Sequence, residues 1–346
     1  MTTQPSSIFQ PCFSPLATLA ILAIVVVPSL PATAVETIRV GIIGCDTSHV
    51  PAFTGLLNKN PQTDQALKGV RVVAAYPGGS QDIPSSRDRV GKYTEQLRGM
   101  GIEIVDSIDS LLERVDAVLL ESVDGRKHLP QVRPVLAAGR PVFIDKPLAG
   151  TLADAVEILD LARRTKTPFF SSSALRFTPA IYAARTSKQL GQVLGCAAYS
   201  PCALEPTHPD LFWYGVHGVE TLYTIMGTGC ERVTRAHTKD TDLVTGIWKD
   251  GRIGTFRGTR SGPHGYGALV FGKKSDQVIN RFGGYEPLVR QIVKFFKTGQ
   301  PPVATAETLE IFAFMEAADA SKRQGGVPVT LESVLSKAQA EVAARR

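Results

Sequence analysis

Between Thr37 and Ile144, short apolar runs rich in β-branched residues alternate with stretches of helix length, and this alternation limits the possible folds more than any other feature. Thr37–Ile43 (TIRVGII), Val70–Ala75 (VRVVAA), Ile102–Val105, Val115–Leu120 (VDAVLL) and Pro141–Ile144 (PVFI) read as five strands. Helical stretches fill the intervals at 50–58, 87–100, 108–114 and 129–138. Strand followed by helix implies right-handed crossovers and a parallel sheet covered on both faces. Such sheets bind ligands beyond the carboxyl ends of their strands. Attention therefore falls on residues 45–49, 76–79, 121–128 and 145–147.

The second half has a different grammar. Thr151-x-x-Asp154 opens a helix running to about Arg164, and Phe169–Phe170 form a further strand. Short runs at 195–199, 231–238, 243–248 and 251–258 are spaced like an antiparallel sheet, and two amphipathic helices follow at 287–297 and 306–322. The expected class is α/β: an N-terminal Rossmann-like doubly wound parallel sheet, then a C-terminal α+β domain with an open, largely antiparallel sheet. Residues 1–34 read as a signal peptide, with the apolar run Leu16–Val27, then Pro28 and the small-x-small site Ala32-Thr33-Ala34. The run is shorter than the roughly 20 residues of a membrane span. The expectation is an exported chain, periplasmic or extracellular, with no span in its mature form. Its domains would be 35–170, which binds nucleotide, and 171–346, which binds substrate and oligomerises.

The net charge of +6 is scattered along the chain, so no nucleic-acid footprint is expected. Cys196 and Cys202 are a conceivable local disulfide in an exported protein, and buried free thiols are an equal alternative. Asp46 and His49, at i and i+3, are two ligands only, and no metal site is assigned. His208, His237 and His264 have no motif behind them and are expected at the surface or in the substrate cleft.

Five segments taken together carry a resemblance: GIIGCDTSH (41–49), DGRKHL (124–129), FIDKPLAGTLADA (143–155), ALRFTP (174–179) and GVHGVETLYTIMG (215–227). In this order they resemble the Gfo/Idh/MocA oxidoreductases, the family of glucose–fructose oxidoreductase and inositol dehydrogenase. The likeness extends over nearly all of the chain after residue 34. Asp145-Lys146-Pro147, matching the family's Glu-Lys-Pro, is its strongest element. The resemblance implies an NAD(P)-dependent enzyme acting on a sugar, polyol or glycoside, with NAD or NADP tightly bound, a small-molecule carbohydrate partner and assembly as a homo-oligomer. Lys146 and His217 are the implied catalytic residues. Gly44, Asp46, Thr47, Ser48, Glu121, Asp124, His128, Asp145, Lys146 and Arg176 are the implied cofactor contacts.

Two departures stand beside the likeness. The family's G-x-G-x-x-G fingerprint reads Gly44-Cys45-Asp46-Thr47-Ser48-His49, so only the first glycine remains. Asp46 brings a carboxylate to where backbone amides normally meet pyrophosphate, and like charges there repel. Ser48 as N-cap would put Pro51 third in the helix, where proline is tolerated. A repositioned and an abolished pyrophosphate site are both open. The second strand ends in Tyr76-Pro77, without the usual acidic ribose ligand. Trp213 stands four residues before His217, where the family has an Asp, while Glu220 matches the acidic residue three positions after the histidine. These losses keep open a non-enzymatic carbohydrate-binding protein on a degenerate Rossmann scaffold. A glycoside-cleaving enzyme using tightly bound NAD in a redox cycle is the other alternative.

Overall fold

The computed structural model describes Cys12 and residues 37–59, 64–263 and 265–346. The signal-peptide reading of residues 1–34 and the expectation for His264 lie outside the described residues, apart from Cys12, which is exposed. Among the described residues no helix is long and apolar enough to cross a membrane.

The first sheet contains β1 (Ile38–Ile43), β2 (Val70–Tyr76), β3 (Glu103–Ile104), β4 (Ala117–Leu120), β5 (Val142–Asp145) and β6 (Phe169–Ser172). They are all parallel, in the order β3-β2-β1-β4-β5-β6. The connecting helices are α1 (His49–Lys59), α2 (Pro84–Gly99), α3 (Ile108–Leu112), α4 (Gly125–Ala137) and α5 (Leu152–Thr165). This is the doubly wound strand order, whose winding switches sides between β1 and β4, the place where such sheets form a ligand crevice. Burial on both faces explains the unbroken apolar strands: Val40 and Ile42 join one core, and Ile43 joins the other. Each such fully buried side chain contributes about 1.5–3 kcal/mol.

After a short 3-10 turn at Ala174–Phe177 come α6 (Pro179–Ala184), β7 (Val193–Pro201), a π-helical turn at Leu211–Gly215 and α7 (Val216–Met226). The strands β8 (Cys230–His237), β9 (Thr241–Trp248), β10 (Ile253–Thr259), β11 (Gly267–Gly272) and β12 (Asp276–Ile279) follow. The chain ends with α8 (Glu286–Thr298), α9 (Thr305–Arg323), β13 (Val329–Thr330) and α10 (Leu331–Ala344). The second sheet has the order β12-β11-β7-β10-β9-β8-β13 and is antiparallel except where β7 meets β10. Three of its strands (β11, β12, β13) and helix α10 have no counterpart in the sequence reading. In β12 and β13 the runs are too short to carry a period of two. Helix α8 leaves the second half and packs Leu288, Ile292 and Phe295 into the core around Phe53, Phe143 and Phe170. Cys45, Cys196, Cys202 and Cys230 are free buried thiols, which burial pushes up to about 12.

Gly44 closes β1 at φ +87°, and a Cβ there would stand 2.5 Å from the Ser122 amide nitrogen. Gly218 lets α7 press against Phe256 of β10, where a Cβ would meet the ring at 2.2 Å, and so fixes the height of the neighbouring His217. Replacing Gly44 by Ala forces both left-handed strain and a backbone collision, so a loss of at least about 1–3 kcal/mol is expected. A thermal melt checks this, and an unchanged midpoint would show that the β1–β4 crossing is looser than described.

Candidate active site

The loop after β1 is held by its backbone and by one buried carboxylate. Gly44 N–H donates to Tyr76 O (2.9 Å) and Cys45 N–H to Pro77 O (2.7 Å). Asp46 turns inward: Oδ1 accepts from the Val123 amide (2.9 Å) and Oδ2 from Ser86 Oγ (2.6 Å). Burial holds its pKa above the ordinary value, against the lowering effect of these two donors. Asp46 therefore does not line the cavity, and both of its oxygens are engaged inside the protein. The helix starts at His49, with Pro51 in its first turn.

His49 replaces the third fingerprint glycine and reaches across to the end of β5. Its Nδ1 lies 2.8 Å from Asp145 Oδ2 and 3.7 Å from Glu121 Oε2. The ring stacks on Phe53 (centroids 5.1 Å apart) and takes the edge of Tyr285 at 4.7 Å. Burial alone would lower its pKa, but Asp145 and Glu121 carry it up to about 10. Burial beside Asp145 pushes Glu121 up to about 7, while His49 and Lys146 hold Asp145 below the ordinary carboxylate value despite its burial.

A cavity of about 420 Å³ opens above this cluster. Thr47, Ser48 and His49 from the start of α1 line one side, with Ser85 and Arg89 of α2. Lys146 and Ser173 enter from just past the ends of β5 and β6. Trp213, Tyr214 and His217 come from the π turn and α7, while Tyr266, Phe282 and Tyr285 close the aromatic wall. Local π geometry recurs at functional sites. His217 Nδ1 is 2.7 Å from Ser173 Oγ, and among the described residues nothing hydrogen-bonds its Nε2. Burial and the nearby Lys146 charge hold His217 well below the ordinary histidine pKa, so it is neutral at pH 7. Lys146 Nζ sits 5.9 Å from the centre of the Tyr214 ring, whose hydroxyl meets that of Tyr266 at 2.9 Å.

Of the residues expected from sequence, the cavity brings together Thr47, Ser48, Lys146 and His217. Gly44, Asp46, Glu121 and Asp145 lie behind it as support. Asp124 caps α4 through the Arg126 amide (3.0 Å) and accepts from Ser80 Oγ (2.6 Å). His208, Arg126 and Ser80 hold its carboxyl well below the usual range against the cost of burial. His208 is neither at the surface nor in the cavity: it is buried against Trp213, with Nε2 3.2 Å from Asp124 Oδ1. His128 is fully buried, with Nε2 2.7 Å from Ser122 O and Nδ1 3.2 Å from Leu148 O, which joins the loops after β4 and β5. Arg176 is not part of the cavity lining; its guanidinium is engaged by Glu220 (2.6 Å) and Glu307 (2.7 Å). Ser173 was within reach of sequence reasoning, because it follows β6 as Lys146 follows β5. Tyr266, Phe282 and Tyr285 come from loops without a motif.

Comparison with known proteins finds similarity, at sequence level, in the first half. Residues 38–172 match the model of the Gfo/Idh/MocA family, described as an oxidoreductase family with an NAD-binding Rossmann fold. That similarity covers the parallel-sheet half of the chain, β1 to β6. Inositol 2-dehydrogenase from Burkholderia cenocepacia is 33% identical over 129 residues, covering 36% of this chain and 33% of the relative. The dTDP-3,4-didehydro-2,6-dideoxy-alpha-D-glucose 3-reductase of Streptomyces violaceoruber is 29% identical over 131 residues (37% and 33%). The chain thus matches about a third of the length of these curated relatives. Fold likeness runs further. Scyllo-inositol dehydrogenase from Lactobacillus casei, solved with NAD(H) and scyllo-inositol, superposes with TM-score 0.67 at 16% identity, over 86% of this chain and all of that one. GenD2 of gentamicin A biosynthesis, solved with NAD, gives 0.70 at 18% identity, over 85% and 96%.

Two hydroxyls beside the cavity have the chemistry to receive an anionic ligand such as the phosphates of a dinucleotide. Thr47 Oγ1 and Ser85 Oγ are both buried without a hydrogen-bond partner. Thr47 stands just before the amide end of α1, and Ser85 and Arg89 of α2 line the same cavity; helix amide ends attract phosphate. Asp46 meanwhile is structural. Changing it to Ala leaves the Val123 amide and Ser86 hydroxyl buried and unmatched, a loss of about 2–5 kcal/mol. Thermal denaturation of Asp46→Ala measures it, and wild-type stability would show that the loop does not depend on this carboxylate.

Proposed function

We propose that the protein is an NAD-dependent oxidoreductase acting on a hydroxyl group of a polyol or sugar held in this cavity. One observation carries the reading: Lys146, from the parallel sheet, and His217, from the second half, meet at one aromatic-walled cavity beside the start of α1. The inositol dehydrogenases and sugar reductase among its relatives support the substrate class. The apolar row Leu243, Ile253, Phe271 and Val278, exposed on the second sheet, supports assembly through that face.

The substrate ring lies against Trp213, Tyr214 and Tyr266, whose flat apolar faces suit the C–H faces of a polyol, while the two tyrosine hydroxyls meet its oxygens. With Nδ1–H donating to Ser173 Oγ, His217 presents the Nε2 lone pair to the reacting hydroxyl and takes its proton. Lys146 offers a fixed positive charge to the alkoxide that develops as the proton leaves. A nicotinamide dinucleotide, held by Thr47, Ser48, Ser85 and Arg89, supplies hydride acceptance when bound. Trp213 in place of the family's Asp leaves Ser173 as the group that orients the imidazole.

The test is reduction of NAD⁺ by a panel of inositols, sugars and glycosides, followed by nicotinamide absorbance. Lys146→Ala and His217→Ala should each lower kcat by about 10²–10⁴-fold while the fold persists. Unchanged turnover in either variant contradicts the reading. The acid limb of the pH profile has a definite sign. His217 works deprotonated, and burial together with Lys146 lowers its pKa, opposed only by Asp145, with Ser173, Tyr214 and Tyr266 uncharged around it. Activity should persist as pH falls through the ordinary histidine value of 6.5 and decline only below it. A limb centred at or above that value would remove His217 from the role of base.

A further inference from the structure

We propose that His49, Glu121 and Asp145 form a binding site for one divalent transition-metal ion, of the Zn²⁺ or Mn²⁺ type, directly beneath the cavity. The three residues come from the start of α1 and the ends of β4 and β5, so neighbouring strands of one rigid sheet fix their spacing. One ligand atom from each lies within 4.8 Å of the others. Metal–ligand bonds of about 2.1 Å place adjacent ligand atoms about 3.0–3.4 Å apart. The separations of 2.8 Å (His49–Asp145) and 3.7 Å (His49–Glu121) lie on either side of that range. Small side-chain adjustments therefore complete the geometry.

The second observation is Glu121 itself. Its side chain is wholly buried, and neither carboxylate oxygen has a hydrogen-bond partner. Buried carboxylates are paired, hydrogen-bonded or bound to metal. His49 offers one Nδ1, and that atom is closer to Asp145 than to Glu121. Among the described residues no lysine or arginine forms an ion pair with Glu121 or Asp145. The two carboxylates face this imidazole and the nearby Lys146 charge, and an ion binding here takes the place of the His49 proton. One nitrogen with two carboxylate oxygens suits Zn²⁺, Mn²⁺ or Fe²⁺ better than Mg²⁺, which prefers oxygen alone. Asp145 Oδ1 is already anchored by the Lys146 amide (2.8 Å), and Phe53 and Tyr285 fix the His49 ring, the kind of support that orients ligands. Three protein ligands leave positions free for water or a substrate oxygen. His49 also lines the cavity, so an ion here borders the bound molecule. The inference goes beyond the redox reading and does not rest on it, since Lys146 and His217 operate with or without the ion.

The experiment uses the full chain, stripped with chelator and titrated with Co²⁺. The expected result is d–d absorption bands saturating at one ion per chain, without a thiolate charge-transfer band, and displaced by Zn²⁺. Glu121→Gln, which keeps the shape and removes the charge, should weaken binding by more than the roughly 10–100-fold typical of a lost supporting contact. Asp145→Asn serves as a second variant should the first not fold. Absence of Co²⁺, Zn²⁺ and Mn²⁺ binding by the folded wild type overturns the proposal, as does equal affinity in a folded variant. Nicotinamide reduction is read separately, so failure here and failure of the redox reading are distinct results.

Discussion

The carboxylate of Asp145 holds the site together. One oxygen takes the Lys146 amide at 2.8 Å and the other takes His49 Nδ1 at the same distance. The first bond sets the backbone from which Lys146 enters the cavity. The second pins the start of α1 to the end of β5, and with it the loop carrying Thr47 and Ser48. Both bonds are sheltered from water, where a charged hydrogen bond is at its strongest. Removing this carboxylate would release the lysine and the remodelled loop together.

That arrangement explains two departures from the family pattern as one change. The fingerprint's third glycine normally allows close packing of helix on strand. Here His49 fills the position, and the acid before Lys146 is Asp where the family has Glu. The shorter acid makes room for the imidazole, and the imidazole supplies the partner that the shorter acid needs. Asp46 behaves similarly at the second glycine, exchanging backbone openness for bonds to Val123 and Ser86. The loop has become a network of side chains in place of a glycine cradle. Two hydroxyls without partners, on Thr47 of this loop and Ser85 of α2, mark where an anionic ligand would take over.

Much of this was legible in the residues. Periodicity along 37–144 announced a doubly wound sheet, because parallel strands buried on both faces leave unbroken apolar runs. Lys146 and His217 were found by motif, and both reach the cavity. Pairings across long sequence distances were not legible. Nothing near His49 in sequence points to Asp145, 96 residues away, and nothing near Asp46 points to Val123, 77 residues away. Arg176 and His128 matched motif positions, yet their polar atoms are engaged by Glu220 and Glu307 and by two backbone carbonyls, contacts that only the packed structure reveals. The aromatic wall escaped because Tyr266, Phe282 and Tyr285 lie in loops, where neither period nor motif marks a residue.

The proposed function requires the remodelled loop to receive a nicotinamide dinucleotide at the cavity of Lys146 and His217. The chain has two tryptophans, Trp213 in the cavity lining and Trp248 in the core. Titration of the folded protein with NADH, exciting tryptophan and reading nicotinamide emission, tests the claim most directly. The account predicts a saturable, sensitised signal that Trp213→Phe reduces and that Thr47→Val with Ser85→Ala weakens. A folded chain that binds neither NADH nor NADPH would contradict it.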